Sequence, residues 1–218
     1  MFDDIEAGIL ERLQQTDAIL EYLKQQTETS SQMFKTQKGM IFVTMYACIE
    51  YSLTQSLTRA LEIIGQSPEP ASAYKSIILC TLLDRYFKGI RDCGKKQIWT
   101  KREELLDIII NDDVINDIDS SVFPSEGSMN ISATQIENVW KYLNVEMEYL
   151  PEGVNRLAIN DIKEQRNAIA HGRTSAADVG RRYTMLTLEQ RVQDVRNVSL
   201  YFTMVLNDYC ANRKYLND

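Results

Sequence analysis

The chain has 218 residues, 44% of them hydrophobic and 25% charged, with only four prolines and nine glycines. Such a length and composition are ordinary for a globular protein, and we expect residues 1–218 to form a single domain with a continuous core. The net charge of −7 argues against a general nucleic-acid coat protein, and the longest apolar run, residues 40–49, is too short to span a bilayer.

Helical periodicity dominates the first half of the chain. Apolar side chains between Phe2 and Leu23 fall on one stripe, with Glu, Gln and Asp between them. In chain order, the predicted elements are an amphipathic helix at 2–23, a polar connection at 28–37, a long helix at 39–64, a buried helix at 73–87, a basic loop at 88–99 and a short helix at 101–110.

The second half continues the helical pattern after an irregular stretch. Its predicted elements are a long acidic excursion at 111–130, helices at 133–143 and 155–171, a loop at 173–186 and a final helix at 188–215. Gly172 is placed to cap the end of the helix at 155–171. With no alternating strand pattern, the sequence predicts an all-α fold, an antiparallel four-helix bundle with additional short helices and one long acidic loop.

The spacing of the cysteines bears on the cellular compartment in which we expect the protein. Cys48, Cys80, Cys93 and Cys210 are scattered and form no C-x-x-C pair. The acidic N-terminus has the character of neither a signal nor a transit peptide. We therefore expect reduced, mostly buried thiols in a cytoplasmic protein with no membrane association.

Several kinds of site have no matching motif in the sequence. Neither G-x-x-x-x-G-K-[ST] nor G-x-G-x-x-G occurs, and a single histidine with unpaired cysteines excludes the usual zinc sites. The acidic run at 112–119 lacks the glycine and glutamate of a calcium loop, so a solvated loop is expected there. The sequence predicts no metal and no cofactor.

Charge is distributed unevenly along the chain. Residues 1–153 carry 14 Lys and Arg against 24 Asp and Glu, whereas residues 154–218 carry 10 against 7. The only histidine, His171, lies in the basic part. This asymmetry is compatible with a local phosphate site on an acidic body, and equally with a solvated helix face.

The segment "EQRNAIAHGR" (164–173) is the candidate site. Asn167 and His171 are four residues apart and share one helix face, while Arg166 lies to the side with a chain long enough to reach the same edge. Structural explanations remain open. A histidine at a helix C-terminus interacts favourably with the helix dipole, and Arg166 could pair with Glu62 or Asp161.

The functional interpretation is that His171 moves protons while Arg166 neutralises a phosphate. Imidazole gains and loses a proton near neutral pH, and guanidinium presents a fixed fork of donors to phosphate oxygens. Cleavage of RNA by its own 2′-hydroxyl needs a base, a cation and an acid, and no metal. One histidine cannot readily be both base and acid, but a symmetric dimer would supply two.

Three stretches resemble the HEPN superfamily. "RNAIAH" (166–171) matches its R-x(4–6)-H signature, and "MYACIEYSLTQSL" (45–57) resembles a second-helix motif in which an aromatic–Ala pair precedes a buried glutamate, here Glu50. "RNAIAHGRTSAADVGRRYTMLTLEQ" (166–190) is similar to a bacterial branch found in defence and restriction loci. The C-terminal "NRKYL" also fits that branch, whereas residues 88–150 match nothing.

The resemblance implies a helical bundle, usually a homodimer whose R-x4-H helices meet in a composite cleft. Active members are metal-independent endoribonucleases, often toxins or abortive-infection effectors. By position, His171 would be the acid–base residue, Arg166 the phosphate binder and Asn167 an orienting residue. Glu50 would brace Arg166, with a buried salt bridge as the structural alternative.

Other residues are candidates for contact with the RNA substrate. Some toxin members carry a tyrosine two places after the histidine; Arg173 stands there in this chain and becomes a further phosphate contact. Arg181, Arg182 and Tyr183 are candidates by charge and stacking, with surface or packing roles as alternatives. An antitoxin or defence-system partner is implied. A non-catalytic HEPN module that binds nucleotide or protein, or a helical adaptor, remains open.

Overall fold

A computed structural model of the chain describes residues 1–115, 123 and 130–217. Within them the only regular secondary structure is helical, apart from two isolated β-bridges. A short 3-10 helix covers Ala71–Ala73. The α-helices are α1 (Asp3–Lys24), α2 (Gln32–Gln66), α3 (Ser76–Leu82), α4 (Asp84–Asp92), α5 (Ile98–Ile110), α6 (Ala133–Leu143), α7 (Arg156–Ala170), α8 (Ala176–Arg182) and α9 (Met185–Ala211).

The predicted all-α class is confirmed, and the helices predicted at 2–23, 133–143 and 155–171 correspond to α1, α6 and α7. Two predicted connections are wrong because serine caps begin helices inside them. Ser31 Oγ accepts a hydrogen bond from the backbone N–H of Phe34 at 3.1 Å, so α2 begins within the expected connection at 28–37. Ser175 caps α8 in the same way, within the expected loop at 173–186.

Three further boundaries differ from the prediction. The helix expected at 73–87 is broken at Leu83, and α4 continues through part of the predicted basic loop. The final helix ends at Ala211, and Arg213 takes a left-handed φ of 48° that turns the chain back towards Tyr74. Of the acidic excursion at 111–130, only 111–115, 123 and 130 belong to the described residues.

The long helices α1, α2, α7 and α9 form the bundle. Helix α1 is antiparallel to both α2 and α9. Asp4 near its start pairs with Arg59 near the end of α2 at 2.8 Å, and Lys24 at its end pairs with Glu189 near the start of α9 at 3.1 Å. The α1 helix therefore closes one side of the bundle.

Helices α2 and α9 run in the same direction through the centre. Ser56 and Thr203 share a buried hydrogen bond of 3.1 Å, and Cys48 contacts Ser199. Burial of apolar side chains around this pair is the main stabilising contribution. The largest fully buried side chains are Tyr46, Tyr209, Tyr215, Phe42 and Phe202.

Two glycines allow α8 to pack directly on α2. A Cβ atom added at Gly180 would lie 2.0 Å from the Lys35 carbonyl oxygen, and one at Gly39 would lie 1.9 Å from that of Ala176. The close approach brings the ammonium of buried Lys38 to the carbonyl of Tyr183, and burial lowers the pKa of Lys38. This contact fixes the turn between α8 and α9.

Two further expectations concern membranes and thiols. No described helix is long and apolar enough to cross a membrane. The four cysteines are free, and two of them, Cys48 and Cys210, are buried, whereas Cys80 is exposed and Cys93 is partly exposed. The expectation of mostly buried thiols is thus met by half of them.

Replacement of Gly180 should separate α8 from α2. We expect Gly180→Ala to lower the free energy of unfolding by about 1–3 kcal/mol, because the new methyl group meets backbone atoms that cannot rotate away. Gly89→Ala is the matched control, since its Cβ would meet only the end of the Lys101 side chain at 4.0 Å. Urea unfolding followed by circular dichroism measures both, and equal midpoints for the two variants would contradict the packing argument.

Candidate active site

Helix α7 carries the candidate residues and is fixed at its start. The Asn155 side chain accepts a hydrogen bond from the backbone N–H of Ala158 at 3.0 Å, which caps the first turn. Ile159 and Ile162 then point into the core and are almost fully buried. The polar residues that follow therefore lie along the rim of the bundle.

The end of α7 is closed by a glycine, as the sequence predicts. Gly172 has a left-handed φ of 66°, its N–H bonds the Ile169 carbonyl at 3.0 Å, and the Arg173 N–H bonds the Ala168 carbonyl at 2.9 Å. His171 is the last residue before this turn and is exposed. Within the described residues its ring has no hydrogen-bond partner, so the imidazole is available to a substrate.

Arg166 is held by four groups. One terminal nitrogen donates to Asn167 Oδ1 at 2.8 Å and to Asn130 Oδ1 at 3.3 Å, and the other lies 3.5 Å from Glu50 Oε2. The guanidinium carbon lies 3.9 Å from the centre of the Tyr46 ring. The side chain is 22% exposed, so it is restrained on one side and open on the other.

The strengths of these contacts differ. The ion pair to Glu50 is long and partly exposed, and such pairs contribute about 0–1 kcal/mol. The short charge-assisted hydrogen bond to Asn167 is of a kind worth about 1.5–3 kcal/mol, and a cation over a partly desolvated ring adds roughly 0.5–2 kcal/mol. Asn167 and Tyr46 therefore fix the pose of Arg166 more than Glu50 does.

Tyr46 is itself anchored. Its ring is 1% exposed, and its hydroxyl oxygen accepts a hydrogen bond from the backbone N–H of Ile131 at 2.7 Å. Burial raises the pKa of this hydroxyl, so the phenol stays neutral beneath the guanidinium. Tyr46 and Glu50 are one turn apart on α2, which explains why both reach Arg166.

The guanidinium retains free donors. Of its five N–H groups, three point to Asn167, Asn130 and Glu50, and two have no partner among the residues that the structure describes. Guanidinium N–H groups that are not used within the protein can donate hydrogen bonds to the oxygens of an anion such as phosphate. Arg166 therefore retains donors with which it could bind an anion.

Arg166 and His171 are separated along α7 and are not in hydrogen-bond contact among the described residues. Five residues along a helix correspond to a rotation of about 140° and a rise of about 7.5 Å. Asn167 and His171, predicted on one face, also differ in exposure, because Asn167 is 8% exposed and turned towards Arg166. One chain supplies a bound cation and a separate, exposed imidazole.

Comparison with known protein families assigns the chain to a family. The family model described as RiboL-PSP-HEPN matches residues 10–197, which begin within α1 and end within α9. The chain belongs to this HEPN family. No curated protein and no solved structure is significantly similar to it. Membership indicates a nuclease-associated or RNA-related module, and HEPN families also include non-catalytic members.

Two alternative partners for Arg166 are occupied elsewhere in this HEPN chain. Glu62 pairs with Arg59 at 3.4 Å, and Asp161 pairs with Arg191 at 3.3 Å. The glutamate of the second-helix motif, Glu50, takes the position beside Arg166, and its side chain is 21% exposed rather than fully buried.

Arg173 lies beside the HEPN motif. It lines an open depression of about 510 Å³. The other residues that line this depression are Lys163, Glu164, Asn167, Ala168 and Thr174. Arg173 is exposed and has no acidic partner among the described residues, so the depression offers cationic groups next to the end of α7.

The remaining candidates for substrate contact in this HEPN chain, which are Arg181, Arg182 and Tyr183, differ in how far they are exposed. Arg181 pairs with Asp178 at 3.3 Å on the surface, and Arg182 is exposed without an acidic partner in the described part of the chain. The Tyr183 hydroxyl instead donates to Asp161 at 2.6 Å, and its ring centre lies 4.6 Å from that of Phe42. Tyr183 packs between α2 and α7, and these contacts occupy the face that would stack on a base.

Sequence reasoning missed Tyr46, Asn130 and Asp161. Tyr46 stands one turn before Glu50, a spacing that could have revealed it. Asp161 was considered only as a partner for Arg166, whereas it joins α7 to Tyr183 and Arg191. No local pattern points to Asn130, because its contact depends on how the chain returns to α7.

The described residues contain no group of three or more His, Cys, Asp or Glu that could hold a metal ion. The polar groups gathered around Arg166 are one carboxylate and two amides, which suit a guanidinium better than a divalent cation.

The Tyr183 contact predicts a pH dependence of stability. Burial and the hydrogen bond to Asp161 raise the pKa of this phenol above its ordinary value. Because the pKa of this phenol is higher in the folded than in the unfolded protein, the contact stabilises the fold at pH values below the unfolded-state pKa of about 10. This contribution to the free energy of unfolding is lost as the pH rises above that value. We expect the stability advantage of the wild type over Tyr183→Phe to shrink by about 1 kcal/mol between about pH 9 and pH 11.

Urea unfolding of both proteins across this range measures the difference. A constant difference would show that the Tyr183 phenol is not protected by burial and Asp161.

Proposed function

We propose that the chain is a metal-independent endoribonuclease of the HEPN type whose active site is shared by two copies in a homodimer. The observation that carries this proposal is the pairing of a restrained, phosphate-ready Arg166 with an exposed His171 at the end of the same helix. A binding module needs the cation but has no use for the free imidazole.

In the proposed reaction the substrate supplies its own nucleophile. A base removes the proton from a ribose 2′-hydroxyl, the 2′-oxygen attacks the adjacent phosphorus, and the bond to the 5′-oxygen breaks as an acid protonates that leaving oxygen. The products are a 2′,3′-cyclic phosphate and a 5′-hydroxyl. Arg166 stabilises the charge that develops on the phosphate oxygens, and the His171 imidazoles act as base and acid.

The dimer follows from the number of imidazoles. Each chain has one histidine, while the reaction uses a base and an acid on opposite sides of the phosphorus. A two-fold axis through the ends of two α7 helices would supply both. The surface beside Glu50 supports contact with a second copy, because Met40 and Ala47 on the same face of α2 are exposed.

Neighbouring residues take supporting roles in this proposal. Asn167 and Glu50 position the guanidinium, since both accept its N–H groups. Arg173 and Arg182 lie exposed and unpaired within the described residues and contact flanking phosphates. Arg181 adds charge, while Tyr183 contributes through packing that holds α7.

The biological role proposed is that of a toxin or an anti-phage, abortive-infection effector in the cytoplasm. An antitoxin or another defence-system protein would restrain it. The alternative is a non-catalytic HEPN module that binds nucleotide or a partner protein, and in that case the wild type would bind RNA without cleaving it.

Cleavage by purified protein is the direct test. We expect the wild type to cut RNA in the presence of EDTA, and His171→Ala or Arg166→Ala to reduce the rate by about 10²–10⁴-fold, the range for loss of general acid–base or oxyanion-type stabilisation. Arg59→Ala is the matched control, because Arg59 is also a partly buried, ion-paired arginine of the bundle but lies near the end of α2, where it pairs with Asp4 of α1.

Equal cleavage by His171→Ala and wild type would sink the ribonuclease proposal. If expression of His171→Ala in cells inhibits growth as the wild type does, the toxicity does not come from RNA cleavage by His171. Thermal unfolding of all variants is the control for misfolding.

Mixed dimers test the shared site. Suppose that one site needs an imidazole from each chain. Co-refolding wild type with an equal amount of His171→Ala then gives about one quarter of the activity of the same total amount of wild-type protein, because random pairing makes only about one quarter of the dimers wild-type homodimers. A site contained in one chain would leave about one half. Activity measured across several mixing ratios distinguishes a quadratic from a linear dependence on the wild-type fraction.

A further inference from the structure

The turn between α4 and α5 carries positive charge that the proposed active site does not use. Between residues 84 and 102 the chain has seven Lys and Arg against two Asp, although its net charge is −7. We call residues 94–102, which form this turn and the first turns of α5, the α4–α5 tip. Its charge is opposite in sign to that of the protein as a whole.

Three of these cations lack an acidic partner in the part of the chain that the structure describes. Along the helices, Lys88 is paired with Asp84 at 2.8 Å and Lys101 with Glu104 at 2.6 Å. At the tip, Lys95, Lys96 and Arg102 are exposed and have no acidic partner among the residues that the structure describes. Unpaired cations close together repel one another, so an anionic ligand would be favoured at the tip.

A tryptophan stands among these cations. Trp99 is 73% exposed, whereas the other tryptophan, Trp140, is 3% exposed within the core. The guanidinium carbon of Arg102 lies 5.0 Å from the Trp99 ring centre. Arg102 covers part of one face of the indole, and the high exposure leaves the other face open to a planar ligand.

Aromatic faces set among unpaired cations are the combination that binds single-stranded nucleic acid, in which bases stack and phosphates meet positive charge. We propose that the α4–α5 tip binds single-stranded RNA, with Trp99 stacking on a base and Lys95, Lys96 and Arg102 contacting the phosphates. The N-terminal end of α5 adds partial positive charge at the same place.

A protein partner fits the tip less well. Exposed apolar residues continue along α5 at Leu106, Ile109 and Ile110, and these would suit a protein surface. The tip differs because lysines surround its aromatic residue, and lysine is depleted at the cores of protein interfaces. Aliphatic side chains also cannot stack on bases, so the RNA contact is confined to the tip.

RNA bound at the tip would be retained near the ribonuclease and positioned for cleavage. The identity of this ligand rests on the proposed function, whereas binding at the tip requires neither His171 nor a second copy of the chain. Binding and cleavage can therefore succeed or fail separately.

The experiment uses an RNA that cannot be cleaved. A fluorescein-labelled 2′-O-methyl oligouridylate of about twelve nucleotides lacks the attacking 2′-hydroxyl and matches the usual length of single-strand sites. Anisotropy reports binding, and tryptophan fluorescence of Trp140→Phe reports contact with Trp99 alone. Trp140→Phe removes an indole N–H that has no hydrogen-bond partner among the described residues, and wild-type anisotropy gives the affinity without that substitution.

We expect RNA to quench the fluorescence of Trp99. Trp99→Leu should bind RNA with an affinity about 5- to 150-fold weaker than that of the wild type, because stacking is lost. Trp99→Phe should bind with nearly wild-type affinity, because phenylalanine can still stack on a base. Lys95→Ala combined with Lys96→Ala should reduce the slope of log affinity against log salt by roughly 1.4. The control pair Lys24→Ala and Lys214→Ala removes the same charge from positions outside the tip and should leave that slope unchanged.

Unchanged affinity in Trp99→Leu, or equal losses in the tip and control lysine pairs, would overturn the proposal. Equal affinity for Trp99→Leu and Trp99→Phe, both reduced, would also contradict stacking. Retained binding at the tip together with undiminished cleavage by His171→Ala would contradict the proposed active site alone.

Discussion

The position of Arg166 depends on α2. Its guanidinium lies on the ring of Tyr46 and beside the carboxylate of Glu50, so one helix supplies both the surface that supports the cation and the charge that balances it. Tyr46 is fixed in turn by the core around it and by the backbone of Ile131. The candidate site is therefore an extension of the bundle core to the surface, and its geometry is as rigid as the α2–α7 packing.

That packing is reinforced by a second set of contacts nearer the start of α7. Asp161 receives hydrogen bonds from Tyr183 and Arg191, which ties α7 to α9 and to the turn after α8. Lys38 of α2 binds the Tyr183 carbonyl, and Gly39 and Gly180 let α8 approach closely enough for this bond to form. The "VGRRYT" stretch thus contributes Tyr183 to this packing, while Arg182 is exposed and has no acidic partner among the described residues.

Charge is distributed unevenly over the molecule. The chain is acidic overall, which limits unspecific attraction to polyanions, yet it exposes cations that have no acidic partner among the described residues, including Arg173 after α7 and those of the α4–α5 tip. Under the proposed function, the overall negative charge repels RNA at long range, while these cations attract its phosphates locally. Such a distribution favours binding of an RNA segment at these positions. Charge totals for the whole chain conceal this division, because they do not distinguish cations paired with Asp or Glu, such as Arg59 and Lys24, from those without an acidic partner in the described residues.

The sequence by itself determined the helical class, the extent of α1, α6 and α7, the glycine cap after His171 and the motif residues Arg166, His171 and Glu50, because these depend on short-range periodicity and local chemistry. Serine caps at 31 and 175 were present in the sequence but lay in polar stretches that resembled loops. Only the tertiary structure decided that Tyr46 and Asn130 hold Arg166, that Tyr183 is packed rather than presented, and that Trp99 is exposed while Trp140 is buried. Those outcomes depend on contacts between residues distant in the chain, which local periodicity does not encode.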